Sequence, residues 1–221
     1  MEETKKYEPL RLKPCLRSYL WGGTRLRGEY HKTGEGVIAE SWELSVRADG
    51  QTYIDSGEHC GESLADVLRA DPVGMAGARC GIAPFPLLIK LIDAQKDLSV
   101  QVHPSDASAC REKGEQGKTE MWYVVDCKPE STLFLGFSRA VTPDELRQRA
   151  KDGTICEVLN RVRYTPATYF SCGPARCMPS ARAFSLRRSS RIRIRRSAYT
   201  TITVSARTES RGSSIWNALP R

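Results

Sequence analysis

Residues 98–106 read LSVQVHPSD and set an amide and an imidazole on alternate positions of an apolar strand. Side chains at i and i+2 of a strand share a face. Gln101 and His103 therefore project together, while Val100 and Val102 take the other side. A second pair, Lys118 and Glu120 in GKTEMWYVV, repeats the spacing on the next strand-like run. Two strands that each turn two polar groups inward would gather an amide oxygen, an imidazole, an ammonium and a carboxylate. Imidazole nitrogen and carboxylate oxygen are ordinary zinc ligands at about 2.0–2.2 Å, and a catalytic zinc keeps one position open for water or substrate. The same four residues also suit a polar pocket without metal. More plainly still, they suit a core histidine satisfied by its neighbouring amide, an edge-strand carboxylate and a lysine that snorkels to solvent. Spacing alone leaves these alternatives open.

The elements that must position these groups are mostly strands. YLWGGTRLRGEY places a Gly-Gly turn after an aromatic residue, and AESWELSVRADGQTYI alternates as a hairpin does, with ADGQ as its turn. FPLLIKLIDA predicts an apolar strand interrupted by Lys90, and KTEMWYVVDCKPESTLFLGFS predicts two strands separated by a turn containing proline. Residues 61–72, GESLADVLRADP, predict a short helix with Ser63 as N-cap and Pro72 just beyond its end. SDASACREKGEQ reads as a short helix or turn. VTPDELRQRAKDG predicts a helix capped by Thr142, with Pro143 first, acids leading, bases following and Gly153 closing it. Many strands with few helices indicate an all-β sandwich or barrel carrying helical insertions.

The chain has 221 residues and 40% hydrophobic content, enough for a core, and no apolar run long enough to cross a membrane. The N-terminus MEETKKYEPLRLKP lacks the apolar stretch of a secretory signal. The eight cysteines (Cys15, Cys60, Cys80, Cys110, Cys127, Cys156, Cys172 and Cys177) form no C-x-x-C pair. The expectation is a cytoplasmic protein with reduced thiols. Its net charge of +8 is unevenly placed: residues 1–162 hold 22 bases against 25 acids, whereas residues 163–221 hold 12 arginines, no lysine and the single acid Glu209. That last stretch is crowded with Arg, Ser, Ala and Thr and has no sustained period, a composition that does not build a core.

PLLIKLIDAQKDLSVQVHPSDASA followed by GKTEMWYVVDCKP closely resembles type I mannose-6-phosphate isomerases, and YLWGGTRL and AESWELS resemble the same family's early motifs. The resemblance runs from about Tyr7 to Val162. It implies a cupin-type jelly roll with small helical insertions and one zinc ion per chain. It also implies interconversion of mannose 6-phosphate and fructose 6-phosphate, a proton moving between C1 and C2 through an enediol. By this resemblance Gln101, His103 and Glu120 match the family's metal ligands, and Lys118 matches a catalytic-site lysine beside the substrate. Zinc there would act as a Lewis acid on the carbonyl and hydroxyl oxygens. The general base is left unassigned.

The resemblance breaks after Val162. A further ligand histidine, in a family segment like P-A-G-T-V-H-A-I-G, and a later arginine, in a run like T-T-Y-R-V-Y-D-Y-G, have no counterpart here. The other histidines, His31 and His59, stand in unrelated motifs. RCMPS at residues 176–180 must be encoded as Arg-TGY-ATG-CCN-Ser, and regrouping from the third base of each codon permits Val-His-Ala-Ile. VRYTPATYFSCGPAR and SSRIRIRRSAYTT regroup into family-like stretches in the same way. One missing base near the Val162 codon accounts for the lost motifs and for the lysine-free, arginine-rich composition together. Residues 1–162 are therefore expected to be the N-terminal part of the isomerase cupin domain. Residues 163–221 are expected to be an out-of-frame, disordered tail, which leaves the jelly roll incomplete at its C-terminal end.

The functional expectation is a zinc isomerase acting on a small sugar phosphate, impaired in this chain by the missing ligand, with weakened zinc affinity. The alternative is a remnant that binds zinc or sugar phosphate without turnover. A nucleic-acid role for the arginines has only charge behind it, with no aromatic platform or recognition motif, and is not expected. Neither is a membrane partner.

Overall fold

The computed structural model describes residues 7–78, 85–96, 98, 119–172 and, as backbone, 199–206. Twelve strands, four α-helices and one 3-10 helix (Ile155–Glu157) lie among them. Six strands make the main sheet: β2 (Cys15–Arg17), β3 (Glu40–Leu44), β7 (Leu87–Asp93), β8 (Thr119–Cys127), β11 (Tyr169–Cys172) and β12 (Tyr199–Ala206). Their spatial order is β11-β8-β12-β7-β3-β2, every pair antiparallel. Three two-stranded sheets surround it: β1 (Leu12–Lys13) with β6 (Tyr53–Ile54), β4 (Val46–Arg47) with β5 (Gly50–Gln51), and β9 (Thr132–Phe137) with β10 (Leu159–Arg163). The all-β reading with small helical insertions agrees with this architecture at the level of strands and few helices. No helix among the described residues is long and apolar enough to cross a membrane.

Register divides the main sheet into two unlike faces. Trp42 pairs with Lys90 and Glu40 with Ile92, while Glu120 pairs with Cys172. One face thus carries Glu40 and Trp42, then Leu88, Lys90 and Ile92, then Glu120 and Val124, then Phe170, all of them buried. The other face carries Leu87, Met121, Tyr123 and Tyr169, all exposed. The buried face is covered at its β8–β11 end by the β9–β10 pair: Leu133, Leu135 and Val162 pack against Val124, Tyr164 and Phe170. Tyr164 meets Phe170 edge-on with ring centroids 6.1 Å apart, an arrangement that suits the ring quadrupoles. A register shift opposite Thr200 and Thr201 absorbs one β8 residue, and Cys127 packs into the same cluster.

The helices start and stop where local chemistry directs. In α1 (Arg25–Gly28) only Leu26 is buried. In α2 (Leu64–Ala70) the Ser63 hydroxyl accepts the Asp66 amide at 3.1 Å, while Leu64, Val67 and Leu68 face inward. Pro72 does not merely follow that helix. It opens a second one, α3 (Pro72–Ala76), whose first turn is capped by Asp71 accepting the Gly74 amide at 2.9 Å. In α4 (Pro143–Asp152) Thr142 accepts the Glu145 amide and Gly153 takes a left-handed φ of 73°, as the sequence predicts. The ADGQ turn lies one residue earlier than expected, because Gly50 already pairs with Arg47. A Cβ at Gly50 would lie 2.6 Å from the Trp42 ring, so only glycine passes there.

Two results run against simple expectation. The strands of KTEMWYVVDCKPESTLFLGFS, β8 and β9, do not pair with each other; β8 joins the main sheet and β9 joins β10. Of the arginine-rich stretch, whose composition does not build a core, the described residues 169–172 and 199–206 form β11 and β12. β12 lies between β7 and β8, running antiparallel to both.

Candidate functional site

The buried face concentrates charge where a core would ordinarily be apolar. Glu120 is 3% exposed, near the start of β8. Its Oε2 accepts a hydrogen bond from Trp122 Nε1 at 3.0 Å. On β3 the same device appears again: Glu40 Oε2 accepts from Trp42 Nε1 at 2.7 Å. Each carboxylate is held by the indole two residues further along its own strand, a consequence of the period of two that sets both side chains on one face. Between them, on β7, Lys90 Nζ donates to Glu40 Oε1 at 3.1 Å, and both side chains are 10% exposed. Lys90 and Glu120 stand two strands apart across β12, a lateral separation of about 10 Å.

This pair and this carboxylate have no ordinary reason to sit inside a β-sheet protein. Burying ions costs several kcal/mol each unless they are paired and hydrogen-bonded. Glu40 meets that condition through one cation and one indole N–H. Two arginines flank the same end of the sheet: the guanidinium carbons of Arg17 and Arg47 lie 4.7 Å and 5.7 Å from the Trp42 ring centroid, and both arginines reach Asp49.

Of the residues singled out by sequence, Glu120 stands on the buried face. Gln101, His103 and Lys118 lie outside the described residues. Among the described residues no three His, Cys, Asp or Glu side chains cluster as a metal site. His59 is engaged elsewhere, stacked on Tyr7 with Nδ1 2.9 Å from Glu62 Oε1, and His31 sits in a loop at φ 54°. Glu40 and Lys90 are the polar residues that motif reading passed over. Their signals were present: a single lysine inside LLIKLID, and the repeated E-x-W of ESW and EMW.

A second polar group fixes the rim. The Gly22–Gly23 turn crosses the sheet end between Ile38–Ala39 and Asp93–Ala94, with bridges Gly22↔Ala94 and Gly23↔Ile38. Asp93 Oδ2 accepts the Arg25 amide at 2.8 Å, and Arg25 itself reaches Glu29 and Asp126 at 2.7 and 2.8 Å. The Glu29 and Asp126 carboxylates hold the Arg25 guanidinium more firmly protonated than usual.

Known proteins resemble this chain in sequence and fold. Residues 10–138 match the sequence model of phosphomannose isomerase type I, catalytic domain. The chain is 39% identical over 171 residues to the probable mannose-6-phosphate isomerase GmuF of Bacillus subtilis, covering 73% of this chain and 51% of that one. It is 36% identical over 164 residues to mannose-6-phosphate isomerase ManA of the same organism, covering 74% and 51%. The chain spans about half the length of the curated relatives it matches. In fold it is similar to the crystal structure of mannose 6-phosphate isomerase from Bacillus subtilis, with a TM-score of 0.72 and 24% identity over 91% of this chain and 58% of that one. A zinc-bound mannose 6-phosphate isomerase aligns with a TM-score of 0.58 and 14% identity, over 89% of this chain and 68% of that one.

Proposed function

The chain belongs to the type I phosphomannose isomerase family, and on that premise we propose that its buried sheet face is the metal-holding part of a mannose-6-phosphate isomerase site in a cupin-type jelly roll. The observation that carries the reading is Glu120: a carboxylate 3% exposed, inside the stretch that matches the family's catalytic domain, on one face with the Lys90–Glu40 pair. The proposed donors are the Gln101 amide oxygen, a His103 imidazole nitrogen and the Glu120 carboxylate. That set suits zinc, which takes nitrogen and oxygen ligands and needs an open position for chemistry. Its burial fits as well, since a dry wall around the ion limits solvent access. Bound zinc would polarise the sugar's carbonyl and hydroxyl oxygens as a Lewis acid.

The chain's own residues have separable tasks in this reading. Trp122 aims the Glu120 carboxylate through its indole N–H, the kind of outer-shell support that orients a ligand. Lys118 stands beside the sugar phosphate, where an ammonium stabilises the negative charge that develops as a proton leaves C2 or C1. Lys90 and Glu40 hold a fixed dipole on the same face. The reaction is the interconversion of mannose 6-phosphate and fructose 6-phosphate.

In the same proposal residues 163–221 are translated out of frame, and the chain is impaired. What supports it is the sequence: residues 163–221 hold 12 arginines and no lysine, and their regrouped codons permit family-like stretches. The strands formed by 169–172 and 199–206 are compatible with this, because a sheet ladder uses backbone groups that almost every residue carries. Thr200, Thr201, Ile202, Thr203 and Val204 are moreover β-branched, and such residues fit a pleated surface.

Zinc titration of the purified chain, paired with a coupled isomerase assay, tests the site. Weak zinc binding that falls at least about tenfold in Glu120→Gln, with little turnover, is the expected outcome. Full turnover by the 221-residue chain would overturn the impairment, and zinc binding indifferent to E120Q would overturn the ligand set. The further ligand histidine of the family, which has no counterpart among this chain's histidines, favours one second reading: a chain that binds zinc or sugar phosphate without turning it over, recognised by stoichiometric zinc and no isomerisation. Resequencing the DNA from the Leu159 to the Pro166 codon decides the frame.

A further inference from the structure

The end of β7 carries a buried acid outside the proposed set of metal donors. Asp93 is fully buried. Burial pushes its carboxyl pKa up, against the opposing pull of the Arg25 and Leu26 amides. Its Oδ2 accepts the Arg25 amide at 2.8 Å, while Oδ1 accepts no hydrogen bond among the described residues. A buried carboxylate held on so few donors is costly, so its place needs a reason.

The reason lies in what it touches. A Cβ at Gly23 would come 2.4 Å from Asp93 Oδ2, and one at Gly22 would come 2.5 Å from Ala39 Cβ. The Gly22–Gly23 turn is thus gripped between Ala39, just ahead of β3, and the Asp93 carboxylate. Gly23 N–H also donates to the Asp93 carbonyl at 3.1 Å. One residue before the turn, the Trp21 carbonyl accepts the amides of both Gln95 and Lys96 at 2.9 Å. The grip therefore fixes the turn, the turn fixes Trp21, and Trp21 fixes the chain's departure from β7. The next segment of the sequence holds Gln101 and His103.

We propose that Asp93 is a positioning residue, whose side chain clamps the Trp21–Gly23 turn against the end of β7 and so sets the path by which the chain leaves toward the metal-ligand segment. The clamp is read from described residues, whereas its consequence for metal binding rests on the zinc reading above. Arg25 contributes to the clamp only through its backbone, because Asp93 accepts its amide rather than its guanidinium.

Amide hydrogen exchange on the full chain, run beside zinc titration, tests the clamp and its consequence separately. In Asp93→Ala the Gln95 and Lys96 amides should exchange about tenfold faster, with the β9–β10 amides unchanged. Asp93→Asn, which keeps an oxygen acceptor of the same reach, should restore most of the protection. Arg25→Ala should leave both amides as they are. If D93A does not fold, Gly23→Ala judges the clamp by the same amides, since its Cβ displaces the carboxylate. Unchanged Gln95 and Lys96 protection in a folded D93A or G23A chain overturns the clamp. Zinc affinity should fall about tenfold in D93A and recover in D93N, an effect that mere loss of stability would not reproduce in a chain still folded. A chain that binds no zinc at all overturns the metal reading and leaves exchange to decide the clamp. Loosened amides with zinc affinity unmoved overturn the link between clamp and metal segment.

Discussion

Lys90 and Glu40 illustrate how a single side chain is tolerated inside a sheet. Their pair is 10% exposed on each side and is completed by the Trp42 indole. Removing one partner strands the other, so Lys90→Ala should destabilise the chain by about 3–5 kcal/mol in urea unfolding. Lys90→Met combined with Glu40→Gln should recover most of that loss, because no net charge is left buried and the introduced amide still offers Trp42 an acceptor. A double variant no more stable than K90A would mean that the cost lies in packing rather than in charge. At this scale Glu120 lies on the buried face, where the period-two pattern of GKTEMWYVV sets it beside Trp122. The Lys90–Glu40 contact was not legible in the sequence. Each residue is visible in its own strand, but 50 residues separate them, and only sheet register brings them together. Asp93 was illegible for a related reason: LIDA reads as the end of an apolar strand, and the glycines it grips lie about 70 residues earlier.

Among the elements, the helix α4 was legible almost to the residue, because a threonine cap, a leading proline and a closing glycine act locally. It also carries the clearest acid-sensitive contact among the described residues. Hydrogen bonds from Arg139 and then Arg149 lower the Glu145 pKa from 4.5 to about 2. With the folded value below the unfolded one, the stabilisation is complete above pH 4.5 and is lost as pH falls toward 2. Glu145→Gln should accordingly flatten the acid limb of the stability profile in that window. The contact lies at the surface, so added salt should shrink the difference between the two proteins. An acid limb that is identical in E145Q at low salt would show that this carboxylate is not the group responsible. Strand partners were far less legible than the helix. β8 and β9 are joined by a short turn and still part company, because pairing is decided by which apolar faces can be covered, not by proximity along the chain. β11 and β12 form next to a composition that does not build a core, since ladder bonds do not depend on a side chain's polarity.

For the whole molecule the proposed frame change beyond Val162 carries the prediction. A gene with one base restored near that codon should encode a longer product that regains the ligand histidine. That product should bind one zinc per chain and isomerise at least about a hundredfold faster than the 221-residue chain. Equal activity of the two products would remove the reason for invoking a frame change. The family stretch itself was legible throughout from its ordered motifs, whereas the way the sheet is finished was not. That finish bears on how the molecule comes together in time. β7 and β8 never bond to each other; they are joined through β12, whose Thr200 pairs with Asp93 more than a hundred residues upstream. During synthesis β2, β3 and β7 emerge and can associate early, and β8 with β11 can join later, but the two groups stay separate until residues 199–206 leave the ribosome. Closing so large a loop is entropically expensive and slow. β12 is thus the keystone of the sheet, and the open slot between β7 and β8 is the exposed edge through which a nascent chain would aggregate or be captured by a chaperone.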